Sequence, residues 1–277
     1  MEIDTLVFSG GGIRFLAYIG VLKVLEERDL IKNIKKICGT SSGSIFGLLL
    51  NLGYNSDEMI NIMNKFNFSN MSNVSIDNLL EKYGFDKGNK ITNFIINMIQ
   101  KKYDKNITFE QLYEKTGKHL IISATCLDKI ETEYFCYENT PTMRIWHAIR
   151  LSISIPYYFT TEKYNLKSYV DGALLDNLPI KLFTPTNNVL GIMLIEDNPI
   201  IKIDSFDIFT LNIFKCLRKK ANDYYDNYNI IEINTKEIGT LDFEIKQDDK
   251  NKLFNYGYES TKNYFLSLEK KIKLKID

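Results

Sequence analysis

The segment TLVF, residues 5–8, runs straight into Ser9-Gly10-Gly11-Gly12. A short apolar run closed by glycines reads as a buried strand. Beyond the glycines the apolar period changes. Ile13, Leu16, Ala17, Gly20, Val21, Val24 and Leu25 recur at helical spacing, and the pattern fades near Asp29. Residues 34–38 repeat the strand signal. After a second glycine-rich turn, SIFGLLLNLG is apolar nearly all round, which predicts a central buried helix stopped at Gly53. Strand, loop, helix, strand, turn, helix is the opening of a parallel α/β sheet.

Residues 55–116 have another texture. Short helical patterns follow one another over 57–66, 76–83, 90–103 and 109–115, with Thr108-Phe109-Glu110-Gln111 as a capping box for the last. This stretch is expected to be a helical insertion over one end of the sheet. Alternation returns in 119–125 and 133–137. A helical run over 142–151 is interrupted near Pro156. A strand at 167–170 ends at Asp171-Gly172, and further strands are expected at 188–195 and 229–234. Helices near 205–220 and 249–268 complete the pattern. No Pro/Gly/Ser linker or repeat divides the chain, so residues 1–277 are expected to form one domain.

Composition narrows the function more than the fold. Hydrophobic residues make up 44% and charged residues 25% of the 277 positions, with 35 basic side chains balanced by 35 acidic. That balance argues against a nucleic-acid binder acting through a basic surface. Cys38, Cys126, Cys136 and Cys216 lack any metal or redox spacing, so free buried thiols and a reducing compartment are expected. MEIDTLVFSGGG has neither the basic start nor the long apolar stretch of a signal peptide, and no run is long enough to span a membrane. A cytoplasmic chain follows, in which the sequons at Asn67, Asn70, Asn73 and Asn106 stay unmodified.

Three local features carry candidate chemistry. Gly39-Thr40-Ser41-Ser42-Gly43 is a G-x-S-x-G pattern. At a strand-to-helix turn it presents the Ser41 hydroxyl at a sheet edge and a helix N-terminus, with Gly39 and Gly43 relieving crowding. Taken alone, it also fits a glycine-rich turn capped by Ser41 or Ser42. Gly10-Gly11-Gly12-Ile13-Arg14 can gather backbone N–H groups around an anion. A dinucleotide fingerprint would need glycine where Phe15 stands, and no phosphate-binding G-K-[ST] is present, so an oxyanion hole fits better. The third feature is the base. Of the two histidines, His119 starts a strand and His147 lies in a helical run. A triad through His147 would have to draw its acid from the preceding chain, for example Asp104 or Glu131. Asp171, at a strand end before Gly172, is the better candidate. A carboxylate is a weak base in water, and a dry pocket would raise its proton affinity.

Together GGGIR, GTSSG and DGA, in that order and at strand ends, resemble the patatin-like phospholipase family. AIRLSISIPYYF, DGALLDNLPI, TLDFEI and the last helix are similar to further family segments, so the resemblance spans nearly the whole chain. It implies a three-layer α/β/α fold with a mainly parallel sheet and a Ser–Asp dyad, here Ser41 as nucleophile and Asp171 as base. Gly10, Gly11 and Gly12 with the neighbouring amides would form the oxyanion hole, and Arg14 would orient the loop or meet a lipid phosphate. Phe15 departs from the family pattern, where many members have glycine.

The resulting expectation is an acyl hydrolase acting on lipid esters, with no cofactor, no metal and no nucleic-acid partner. Membrane contact would be peripheral, through the helical insertion. An activating protein is left unspecified. A non-catalytic lipid-binding or storage protein on the same fold, and an α/β-hydrolase using His147, are the alternatives.

Overall fold

The structure, a computed structural model, describes residues 2–68, 74–195, 203, 206–219, 225–236 and 238–274. The sequons at Asn70 and Asn73 lie outside these residues, as do both ends of the helix expected at 205–220. The first expected strand is β1, Thr5–Phe8, followed by a 3-10 turn over Gly12–Leu16 and helix α1, Ala17–Glu27. Strand β2 spans Lys36–Thr40 rather than 34–38, because Gly39 and Thr40 still pair with Ile122 and Ser123 before the chain turns. Helix α2 is Ser42–Asn51, buried at every position, and Gly53 beyond it adopts φ +82°.

The insertion contains α3 (Ser56–Lys65), α4 (Ile76–Lys82), α5 (Asn89–Gln100) and α6 (Phe109–Thr116). The Thr108–Gln111 capping box forms, and a second one joins Asn55 and Glu58 at the start of α3. Between α4 and α5 lies a short strand, β3 (Gly84–Asp86), that helical periodicity did not foretell. Its partner, β6 (Tyr157–Phe159), belongs to the segment around Pro156, and the two form a separate parallel ribbon.

The central sheet continues with β4 (His119–Cys126), β5 (Glu131–Phe135), helix α7 (Ile145–Ser152), β7 (Glu162–Tyr164), β8 (Lys167–Asp171) and β9 (Val189–Ile195). After α8 (Phe206–Lys219) come β10 (Asn229–Asn234) and α9 (Gln247–Lys273), which is longer than the expected 249–268. Strands run in the order β10-β9-β1-β2-β4-β8-β7. The pairs from β10 to β4 are parallel, whereas β5, β8 and β7 join antiparallel.

One detail of register positions the site. On β4, Thr40 of β2 pairs with Ser123, and Asp171 of β8 pairs with Ala124. Strand β5 occupies the opposite edge at those same residues. Strands β2 and β8 therefore lie end to end along one edge of β4. Being parallel and antiparallel to it, they meet at their carboxyl ends.

Alternation in β1 separates the two faces. Leu6 and Phe8 enter the larger core, where the rings of Phe8, Tyr18 and Phe46 pack tilted or edge-on at centroid distances of 4.9–5.3 Å. Val7 enters a smaller cluster on the other face with Cys38, Ile121, Leu178 and Ile180. Helix α9 crosses α1 with almost no side chain between the backbones. A Cβ on Gly257 would lie 1.8 Å from the Ala17 carbonyl oxygen, and one on Gly20 would lie 2.1 Å from that of Phe254. Among the described residues, no helix is long and apolar enough to cross a membrane. Cys38, Cys126 and Cys136 are free and buried, as expected; Cys216 is free but exposed.

Candidate active site

Ser41 occupies the single residue between β2 and α2, with φ 53° and ψ −128°. Positive φ is costly for a residue with a Cβ, of order 1–3 kcal/mol, and persists only where surroundings enforce it. Here the surroundings do so on every side. The Ser41 N–H donates to Ser152 Oγ at 2.8 Å, and its carbonyl accepts from Ser44 Oγ at 2.6 Å and Ser44 N at 2.9 Å. Gly39 and Gly43 face each other across the turn. A Cβ on Gly43 would lie 2.5 Å from the Ser9 carbonyl oxygen, and one on Gly39 2.5 Å from that of Gly43. The turn thus forms only where both positions lack side chains.

The enforced backbone points the Ser41 hydroxyl at Asp171. Ser41 Oγ donates to Asp171 Oδ2 at 2.5 Å, across 130 residues of sequence. Both are buried, at 5% and 1% exposure. The other carboxylate oxygen accepts from Ala173 N at 2.8 Å, so Asp171 also caps the 3-10 turn Gly172–Leu174. Its main chain is fixed by Ser154, whose carbonyl accepts from Asp171 N, and by Thr125 Oγ1, which donates to the Asp171 carbonyl. Gly172 allows the turn to lie on β4: a Cβ there would sit 2.7 Å from the Ser123 carbonyl oxygen.

The glycine loop borders the same pair. Gly12 has φ +58°, and a Cβ there would overlap the Thr240 carbonyl at 1.9 Å. Not all of its amides are equally available. Gly10 N donates to the Asn177 carbonyl at 3.2 Å, Gly11 N to Ser42 Oγ at 3.1 Å and Ile13 N to the Thr240 carbonyl at 3.0 Å. Among the described residues, Gly12 N has no such acceptor. Arg14 is buried at 3% exposure. Its Nε donates to the Gly11 carbonyl at 3.0 Å and Nη1 to Thr235 Oγ1 at 3.3 Å. Of the two roles open for Arg14, the geometry favours orienting the loop, since the guanidinium faces protein rather than solvent.

Ser41 and Gly12 open onto a small apolar chamber. Its other walls include Phe15, Ile45, Phe68, Ile91 and Phe94. The departure at Phe15 therefore adds a ring to the chamber, 6.4 Å from that of Phe68. Apart from the two serines of the elbow, the lining is apolar. Such a cavity accepts hydrocarbon readily and disfavours charge.

His147 is engaged elsewhere. Its ring lies 5.5 Å from Trp146 and 5.8 Å from Tyr164, and it hydrogen-bonds the Lys163 backbone. Burial lowers its pKa, opposed by Glu162. His119 lies at the other end of β4, opposite Lys36, four register positions from the Thr40–Ser123 pair. There His119, Cys136 and Glu138 each offer one ligand atom, all within 4.8 Å of one another. A nitrogen, a thiolate and a carboxylate form a donor set acceptable to zinc. The set arises only through β4–β5 pairing, which is why spacing along the chain gave no sign of it.

Sequence reasoning missed several supporting residues. Ser152 holds the elbow amide. Arg150, buried at 2% exposure, donates to Ser154 Oγ at 2.5 Å and to the Lys87 and Thr160 carbonyls at 3.1 Å, tying the insertion to the segment that supports Asp171. The Arg-x-Ser spacing 150–152 was visible, but not which group each side chain would reach. Asn177 acts through its carbonyl, which no side-chain pattern signals.

A model of the patatin-like phospholipase family matches residues 6–184. The probable lipid hydrolase 463L of Invertebrate iridescent virus 6 is 31% identical over 265 residues, covering 92% of this chain and 86% of that protein. Protein R571 of Acanthamoeba polyphaga mimivirus is 31% identical over 287 residues, covering 96% and 95%. Among solved structures, VipD from Legionella pneumophila superposes with a TM-score of 0.70 at 17% identity, over 96% of this chain and 67% of that one. The last likeness is one of fold.

Proposed function

The chain belongs to the patatin-like phospholipase family, and from that premise we propose that it is a lipid acyl hydrolase with Ser41 as nucleophile and Asp171 as its base. The observation that carries this reading is the 2.5 Å hydrogen bond between two buried side chains at converging strand ends. The lipid hydrolase named among its relatives and the apolar chamber beside Ser41 agree with an acyl substrate.

In this mechanism Ser41 Oγ attacks the ester carbonyl carbon as its proton passes to Asp171 Oδ2. Negative charge collects on the former carbonyl oxygen, beside the glycine loop. The Gly12 amide is the first donor; Gly11 becomes a second once its bond to Ser42 Oγ yields to the stronger acceptor. Gly10 and Ile13 amides are already spent on backbone carbonyls and act as braces. The ester C–O bond then breaks, and Asp171 returns the proton to the departing alcohol. Water adds to the acyl-serine as Asp171 takes its proton. Collapse releases the carboxylic acid and gives the proton back to Ser41. No step calls for a metal or a cofactor.

Peripheral contact with a lipid surface is part of the same reading. On α4, Ile76 and Leu80, with Tyr83 at its end, are 69%, 79% and 71% exposed and share one helix face. Residues 1–277 are read as one catalytic domain, since Thr240 and α9 pack on the glycine loop and α1. The test is hydrolysis of p-nitrophenyl acyl esters with fluorophosphonate labelling. Wild type should turn over and label at Ser41. Ser41→Ala and Asp171→Asn should lose turnover by about 10²–10⁴-fold, and His147→Ala should retain it. Loss in His147→Ala with retention in Asp171→Asn would overturn the dyad.

A further inference from the structure

The chamber beside Ser41 is too small for the chain it is built to attract. Its open space is about 40 Å³, room for only a few water-sized atoms. Behind it is a second apolar void of about 20 Å³, walled by Phe15, Phe68 and Phe94 in common with the chamber and also by Ile62. On the far side of Ile62 and Phe94 lies a groove of about 750 Å³ between α3 and α5. That volume is in the range of sites that hold a whole small ligand. The groove has an apolar floor of Tyr54, Ile62, Phe66, Phe94 and Met98. Its rim is polar, with Asn61 and Lys65 from α3, Asn97 from α5 and Lys101 just beyond it.

Phe94 borders all three spaces. It is only partly buried, and its ring lies 4.6 Å from that of Phe66, which in turn lies 4.9 Å from Phe68. The side chains of Ile62 and Phe94 stand between the chamber and the groove along this line. Rings turn at far lower cost than backbone moves.

We infer that the groove between α3 and α5 is the acyl-chain site. The substrate's hydrocarbon tail leaves the chamber between Phe68 and Phe94, passes Ile62 and lies along the groove floor. This inference rests on the hydrolase reading and adds to it the place where the acyl chain lies. Phe94 becomes the residue that sets which chain lengths pass. The occupant follows from continuity. The groove shares Phe94 with the chamber at Ser41 and Ile62 and Phe94 with the void behind it, and its floor is hydrocarbon.

The experiment compares p-nitrophenyl butyrate with p-nitrophenyl palmitate for wild type, Asn97→Trp, Asn61→Trp and Phe94→Ala. Asn97 and Asn61 are exposed on facing helices, so an indole at either can fill the groove without entering the core. Thermal unfolding verifies that each variant is folded. Both tryptophan variants should lower the palmitate-to-butyrate rate ratio by roughly tenfold or more. Phe94→Ala, which widens the passage, should raise it. If wild type cleaves both esters and the ratio ignores both tryptophans, the groove is not the acyl site, while the hydrolase reading stands. If wild type cleaves neither ester and does not label with fluorophosphonate, the hydrolase reading falls, and the acyl site with it.

Discussion

Ser41 and Phe94 face the same small chamber from walls built in opposite ways. On the Ser41 side almost every constraint involves backbone. Gly43 meets the Phe8 and Ser9 carbonyls, Ser152 holds an amide, and Ala173 N donates to Asp171. On the Phe94 side the contacts are between rings, at 4.6–6.4 Å, with no hydrogen bond directing them. Backbone collisions and short hydrogen bonds leave one geometry, whereas ring packing has several of similar energy. A group that must meet a reacting atom needs the first kind of wall. A surface that admits tails of different length needs the second.

The contrast can be broken from either side. The largest effect is expected from Gly43→Ala, whose methyl would press on two carbonyls. It should cost about 3 kcal/mol of stability, read as a lower urea midpoint at unchanged slope. If that midpoint holds, the serine corner is less rigid than its contacts imply. Ser152→Ala leaves the Ser41 amide without its acceptor. Loss of such a bond is worth about 1–3 kcal/mol, so kcat should fall by roughly 10- to 100-fold with KM little changed. An equal rise in KM would instead make Ser152 part of the substrate surface. On the ring side, Phe66→Ala removes two aromatic contacts. It should lower stability by about 1–2 kcal/mol while altering chain-length preference more than turnover of a short ester.

The smallest effect is expected on β5, where Glu133 pairs with Ala124 on the side away from Asp171. Burial works to raise the Glu133 carboxyl, but hydrogen bonds from Lys167, Tyr169 and Lys129 outweigh it and hold the pKa at about 2. A depressed carboxylate contributes stability above its unfolded pKa, near ~4.3, and loses it as pH falls toward the folded value. Glu133→Gln should therefore melt below wild type at neutral pH, and the gap should close between about pH 4.3 and 2. A gap that persists at pH 2 would mean the side chain acts through packing rather than charge.

Much of the serine wall was legible in the sequence because its signals are local. TLVF before three glycines, and a serine between glycines before an apolar run, each mark a strand end within ten residues. Asp171 was legible as a strand end, and its pairing with Ser41 came from the family resemblance; the geometry that joins them did not show in the chain's periodicity. That required β8 to run antiparallel to β4 while β2 runs parallel, so that their carboxyl ends meet. Strand direction is a long-range property that periodicity does not carry. The same limit hid β3. Three residues are too few to show a period, and the strand exists only because β6 lies beside it. The glycine loop was legible as a nest of amides. Which amide stays available was not, because their competitors are the Asn177 and Thr240 carbonyls and the Ser42 hydroxyl.

The contact between the first glycine loop and the far end of the chain has a consequence for synthesis. Ile13 and Arg14 are braced by Thr240 and Thr235, and Gly257 lies on Ala17. A ribosome delivers Ser41 and Asp171 well before any of these partners emerge. The nascent chain then holds the proposed nucleophile and base before the glycine loop has its braces. On the proposed function, emergence of Thr235, Thr240 and Gly257 is the event that completes the site. A chain cut after residue 184, where the family match ends, should fail to label with fluorophosphonate, and addition of residues 185–277 as a separate piece should restore labelling.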